Sequence, residues 1–277
     1  MKRSLLAVLT AAAVCTGFSH AAAADPTPEP IPTAVPSPSP TLLPSPSPSP
    51  TPTPPPPPKP EAVNKTIVIG HSVRGTPLYA YRRHAINPNR RLLIIGSIHG
   101  DEPAGVQVAR AFRDRAAGAS LQSNVEVWVI LSLNPDGLAA HTRVNAHGVD
   151  LNRNFPYQWL KGDGGTQYYS GPSSASEPET RALVEFDKTY RPLKEIIFHQ
   201  PYRVVDLSNS TAYLSGLMSQ STGLPTKALG TRHGSNAGYL QQQVRGSIAM
   251  TVEFATSATQ ARLDGALRGS YRVANAR

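Results

Sequence analysis

The chain has 277 residues and a formal charge of +9, a positive balance that suits an anionic neighbourhood such as cell-wall polymer and equally a solvated basic surface. No run alternates basic and aromatic residues, so nucleic acid is not an expected partner. The single cysteine, Cys15, lies near the start; that excludes a disulfide framework downstream and leaves histidines and carboxylates as the ligands for any metal.

Lys2 and Arg3 precede an apolar stretch, residues 5–18, too short to span a bilayer comfortably. Small residues follow, and residues 1–24 are expected to be a cleavable signal peptide; Cys15 makes a poor lipoprotein site because Val14 stands where a small residue is wanted. Residues 25–60 are Pro, Ser and Thr with almost no aliphatic content and hold most of the 28 prolines. Such a segment cannot bury a core and reads as an extended linker, reaching on the order of 100 Å if stiff. It serves equally well as a spacer from a surface or as a passive connection. A periplasmic or secreted protein with no stable membrane insertion after signal cleavage is the expectation.

Residues 61–277 suffice for one compact domain. Short apolar runs at 66–69, 92–95, 125–131, 195–198 and 248–252 read as buried strands. Residues 103–116 and 177–190 read as helices, with Ala104, Val108, Ala109, Ala111 and Phe112 at helical spacing on the first. The alternation indicates a single α/β domain, its sheet covered by helices on both faces. Asn134-Pro135-Asp136-Gly137 is a turn signal after a strand.

Polar residues gather just past the C-terminal ends of three of these strands. One runs into Gly96-Ser97-Ile98-His99-Gly100-Asp101-Glu102, one ends at His199, and one leads to Glu253. That edge is where open α/β sheets bind ligands. A His-x-x-Glu pair in a strand-to-helix turn can place an imidazole and a carboxylate on one cation, and a distant second His completes a set with one position left open. Zinc suits these nitrogen and oxygen donors. Either element alone is commonplace. Glu253, between apolar neighbours at a strand end, accepts a burial penalty that calls for a functional reason.

The order of motifs narrows the reading. His99-x-x-Glu102, Asn-Pro-Asp-Gly, then Gly148-Val149-Asp150-Leu151-Asn152-Arg153-Asn154-Phe155, then His199 and Thr251-Val252-Glu253-Phe254 resemble the carboxypeptidase A-type zinc metallopeptidase family over essentially residues 66–254. The short chain and the opening Gly70-His71-Ser72-Val73-Arg74-Gly75 are most similar to the bacterial murein peptide amidases within it. The resemblance implies a mixed, mostly parallel twisted sheet and one Zn²⁺ held by His99, Glu102 and His199. It implies further that Asp150 orients the first His, that Asn152 and Arg153 clamp a free substrate carboxylate, and that Arg143 stabilises the oxyanion. Glu253 is the implied general base. The spacing from Arg143 to Asn152 is shorter than in the long digestive members.

Two segments depart from those members. His199 is followed by Gln200-Pro201-Tyr202, and residues 231–239 lack an obvious counterpart of their mobile tyrosine. Tyr239 reads as a core aromatic before a substrate contact. Arg232 and His233 are candidates for a further acidic group on the substrate, or part of a solvated loop; His141 and His147 read as surface or supporting residues. The expected function is hydrolysis, by a monomer, of an amide next to a free carboxylate in peptidoglycan stem peptides, the D-glutamyl–diaminopimelate bond being the leading candidate. A general secreted metallocarboxypeptidase is the alternative, and a non-catalytic wall-binding module a more distant one.

Overall fold

The computed structural model describes residues 64–83, 88–115, 121–162 and 164–277. The expected signal peptide (1–24) and linker (25–60), and the expected domain start at 61, lie outside the described residues. Among the described residues, no helix is long and apolar enough to cross a membrane.

The elements run β1 (Lys65–His71), β2 (Pro77–Arg83), β3 (Arg90–Ile95), α1 (Ala104–Asp114), β4 (Val125–Ile130), α2 (Pro135–Ala140), a 3₁₀ turn (Leu151–Arg153), α3 (Pro178–Tyr190), β5 (Lys194–His199), β6 (Val204–Asp206), α4 (Ala212–Thr222), β7 (Thr226–Lys227), α5 (Asn236–Gln243), β8 (Ile248–Glu253) and α6 (Gln260–Asn275). They build an eight-stranded sheet in the order β1-β2-β4-β3-β5-β8-β6-β7. Strands β4, β3, β5 and β8 pair in parallel and form its centre. The antiparallel pairs flank them, β1 with β2 and β2 with β4 on one side and β6 with β8 on the other. This is the mixed α/β architecture expected from the sequence.

Both faces are covered because successive side chains of a strand point to opposite sides. Leu92 and Ile94 of β3 enter one core with Val108 and Phe112 of α1, Met218 of α4 and Leu263 of α6. Leu93 and Ile95 enter the other with Leu183 and Phe186 of α3, Phe155 and Tyr239. Phe112 stacks on Tyr271 with ring centroids 4.4 Å apart, tying α1 to α6. Burying one such side chain stabilises the fold by about 1.5–3 kcal/mol. Tyr239 belongs to this second core.

Three strands were not foreseen. β2 points Leu78, Ala80 and Arg82 inward, and its guanidinium is neutralised by Glu126 of β4 at 2.8 Å. β6 and β7 are too short to carry a pattern. The turn expected at Asn134-Pro135-Asp136-Gly137 proves to be the start of α2. Asn134 caps it by accepting the Gly137 N–H at 2.9 Å, and Pro135 occupies the first turn, where its missing N–H is harmless. Asp136 turns back to the β1–β2 loop, accepting the Ser72 hydroxyl at 2.8 Å and the Arg74 N–H at 2.9 Å. Gly100 packs face to face on this helix start: a Cβ there would collide with the Gly137 carbonyl carbon. The loop carrying His99 and the first turn of α2 thus meet backbone to backbone.

Candidate active site

Because the central strands are parallel, their C-terminal ends deliver side chains to one edge. His99 lies in the loop after β3, Glu102 just before α1, His199 at the end of β5 and Glu253 at the end of β8. His199 and Glu253 are register partners. All four are buried, with exposures of 2%, 5%, 4% and 6% in that order.

Glu102 bridges the two imidazoles. Its Oε1 lies 2.9 Å from His99 Nδ1 and its Oε2 lies 2.8 Å from His199 Nδ1. One ligand atom from each of these three residues falls within 4.8 Å of the others, the sole such group among the described residues able to hold a metal. On its far side, His99 Nε2 meets Asp150 Oδ1 at 3.1 Å. The other oxygen of Asp150 accepts Arg143 Nη2 at 2.9 Å and Nε at 3.1 Å. Arg143 Nη1 then reaches 3.2 Å from His99 Nδ1 and 3.4 Å from Glu102 Oε1.

The electrostatics of this cluster favour positive charge among its groups. Burial acts against a proton on His99, yet Asp150 and Glu102 outweigh it and push that imidazole up to about 8. Burial likewise acts to raise Glu102 and Asp150, but the histidines, joined at Asp150 by Arg143, hold both carboxylates well below their usual range. One carboxylate and two imidazole nitrogens suit the donor chemistry of zinc, and Asp150 supplies the outer hydrogen bond that fixes a metal-binding His.

Glu253 differs. Burial pushes it up, the Glu102 charge adds to this, and His199 and the Tyr202 N–H oppose it. That N–H lies 3.4 Å from Glu253 Oε2. A carboxylate with raised proton affinity beside a metal group is suited to take and return a proton.

The cluster opens into a cleft of about 1010 Å³ whose lining includes Arg143, Asn152, Arg153, Tyr202 and Arg232. Among the described residues Arg153 has no acidic ion-pair partner; it donates only to the Asn152 carbonyl at 2.7 Å. Burial lowers its proton affinity, and the Arg143 and Arg232 charges add to this against Asp150. A partly buried guanidinium of this kind attracts an anion.

His99, Glu102, His199, Glu253, Arg143, Asn152 and Arg153 all line this cleft, and Asp150 lies buried behind His99. His233 instead bonds the Gln158 carbonyl at 3.0 Å, His141 ends α2 in a left-handed conformation, and His147 pairs with Glu177 at 2.7 Å. Two cleft residues escaped the sequence reading. Tyr168 lies under the Arg143 guanidinium, 5.3 Å from its ring centre, and Asn236 meets Asn152. Tyr168 comes from an irregular loop with no periodic signal. Gln200 locks the start of α1, accepting the Ala104 N–H at 3.1 Å and donating to the Ala255 and Thr256 carbonyls at 2.8 and 2.7 Å.

Two imidazoles and a carboxylate beside a second, proton-hungry carboxylate, at the carboxyl edge of a mixed α/β sheet, define a metal-dependent hydrolase. The sequence profile of the zinc carboxypeptidases (peptidase M14) matches residues 59–205, and the chain belongs to that family of zinc hydrolases. It is 34% identical over 149 residues to murein peptide amidase A of Escherichia coli K12, covering 50% of this chain and 60% of that protein. The counterpart from Vibrio campbellii is 36% identical over 152 residues, covering 50% and 58%. The chain thus matches about three fifths of the length of these curated relatives. The crystal structure of the murein-tripeptide amidase MpaA from E. coli O157 has the same fold, with a TM-score of 0.63 at 24% identity, covering 76% of this chain and 92% of that one.

Proposed function

We propose that the protein hydrolyses an amide next to a free carboxylate in peptidoglycan stem peptides, with the D-glutamyl–diaminopimelate bond as its target, acting as a monomer in the periplasm or outside the cell. The observation that carries this reading is Arg153, a partly buried cation with no acidic partner among the described residues, in the same cleft as His99, Glu102 and His199. The murein peptide amidases among its relatives support the substrate class.

In this reading His99, Glu102 and His199 hold the zinc ion, which when bound supplies Lewis-acid activation of water and of the scissile carbonyl. Asn152 and Arg153 grip the free carboxylate and fix the amide against Glu253. Glu253 takes the proton of the attacking water as the new C–O bond forms. It returns that proton to the departing nitrogen as the C–N bond breaks. Arg143, steadied by Asp150, faces the negative charge that develops on the carbonyl oxygen. Tyr168 and Tyr202 are exposed residues of the cleft lining, open to contact with the substrate. Arg232 faces a further acidic group, such as the second carboxylate of a diamino diacid.

The test is mass-spectrometric digestion of L-Ala-D-Glu-diaminopimelate tripeptide beside an ordinary peptide, with zinc content measured on the same sample. Cleavage of the tripeptide, lost on chelation, is the expected result. Release of a terminal residue from the ordinary peptide alone would make the enzyme a general metallocarboxypeptidase, and zinc without either activity would leave a wall-binding module.

A further inference from the structure

Beneath the cleft floor lies a buried polar chain that metal binding and proton transfer do not use. It begins at Asn152, whose Oδ1 accepts the main-chain N–H of Asn236 at 2.9 Å. Only an amide oxygen can accept that hydrogen, so the orientation of the Asn152 side chain is settled: its Nδ2 donor end is turned the other way, on a residue that lines the cleft.

Asn236 is the first residue of α5, which Ser235 caps by accepting the Gly238 N–H at 3.3 Å. Its own side chain is fully buried and donates through Nδ2 to Glu195 Oε1 at 2.7 Å. Glu195 belongs to β5 and shares a face with Ile197 and His199 by strand alternation. The strand that ends in a candidate ligand thus also carries the anchor for α5.

This arrangement carries an evident penalty. Glu195 Oε2, Asn236 Oδ1 and both oxygens of the neighbouring Asp187 lack hydrogen-bond partners among the described residues. An apolar cluster of the same volume is commonly as stable or more so. Burial and mutual repulsion push Asp187 well up, and burial pushes Glu195 up to about 7 against its bond to Asn236. Whatever the protonation state of the pair, Glu195 Oε1 can accept the hydrogen of Asn236 Nδ2. A polar chain kept at such a penalty, and ending on one residue of the substrate clamp, points to a task in binding.

We propose that Glu195 and Asn236 are positioning residues for the carboxylate clamp: Glu195 holds Asn236, and Asn236 holds Asn152 with its amide donor aimed at the free carboxylate of the substrate. The inference rests on the proposed function, since it presupposes a free-carboxylate substrate.

The test uses the full zinc-loaded enzyme and two peptides that differ only in a free or amidated C-terminus. Asn236→Ala and Glu195→Met should each raise KM for the free acid roughly tenfold, the size of one charge-assisted hydrogen bond, with kcat held within about twofold. KM for the amide should not move, so the preference for the free acid narrows. Glu195→Gln preserves the acceptor and should keep the unmodified preference. Equal losses on both peptides, or an unchanged preference in Asn236→Ala, would overturn the proposal. If Asn236→Ala fails to fold, judged by zinc content and thermal unfolding, the contrast between Glu195→Gln and Glu195→Met decides. An unmodified enzyme with no preference for the free acid would bring down the parent reading, and this one with it. A clear preference that survives every substitution would bring down this one alone.

Discussion

His99 Nε2 and Asp150 Oδ1 meet at 3.1 Å, in a place where neither residue is more than 2% exposed. The contact fixes the ring so that Nδ1, its other nitrogen, faces Glu102. Asp150→Asn keeps the volume but removes the charge that favours the Nε2–H tautomer. Zinc affinity, measured by competition with a chelator, should fall about 10- to 100-fold. Unchanged affinity would mean that the ring is held by packing alone.

Glu253 stands apart from the metal-binding group yet within its field. Glu253→Gln should lower kcat by at least about 10²-fold and leave the zinc content intact. Because burial raises the proton affinity of Glu253, kcat/KM should be lost, as pH falls, at a higher pH than an exposed glutamate would give. An acid limb at the position of an exposed glutamate would argue for a different base.

Arg153 is the cation proposed to grip the free substrate carboxylate. Arg153→Ala should raise KM for free-acid peptides by roughly 100-fold, as expected for loss of a bidentate charged contact. Its effect on amidated peptides should be small. A loss of the same size on both would remove Arg153 from the clamp.

Asp187 and Glu195 make stability depend on pH in a defined direction. Their folded-state proton affinities are raised, so their contribution is full below the ordinary carboxylate range and is lost as pH rises through about 7 for Glu195. Asp187→Asn should flatten this decline: its Tm should gain on that of the unmodified protein by about 3 °C or more between about pH 5 and pH 8. A constant difference in Tm across that range would show that the pair does not share a buried charge.

The parts of the fold legible in the sequence were those whose burial left a continuous mark. Residues 92–95 and 125–130 are apolar or shielded on both faces because helices cover both. β2 was hidden by Arg82, an inward-facing charge whose neutralising partner Glu126 lies on another strand. The long helix α6 mixes arginines and small residues with its buried Leu263, Leu267 and Tyr271, which blurs its apolar stripe. At the site, His99, Glu102 and His199 were legible because each follows a recognisable strand and because their order along the chain is distinctive. Asn236 was not, since its contact with Asn152 is made through a main-chain N–H, which every residue but proline possesses.

The backbone contact between Gly100 and Gly137 has a consequence for how this chain can vary. A methyl group on Gly100 would collide with the Gly137 carbonyl carbon, and one on Gly137 would crowd Asn134 and the Val144 carbonyl. Neither site can accept a side chain alone, and a shift of either segment would carry His99 or the Arg143 loop along with it. The His-x-x-Glu and Asn-Pro-Asp-Gly motifs, separated along the chain, are thus one packed unit. Descendants are expected to keep both glycines or to rebuild both segments together, and swapping one segment between distant relatives should fail where exchanging the pair succeeds.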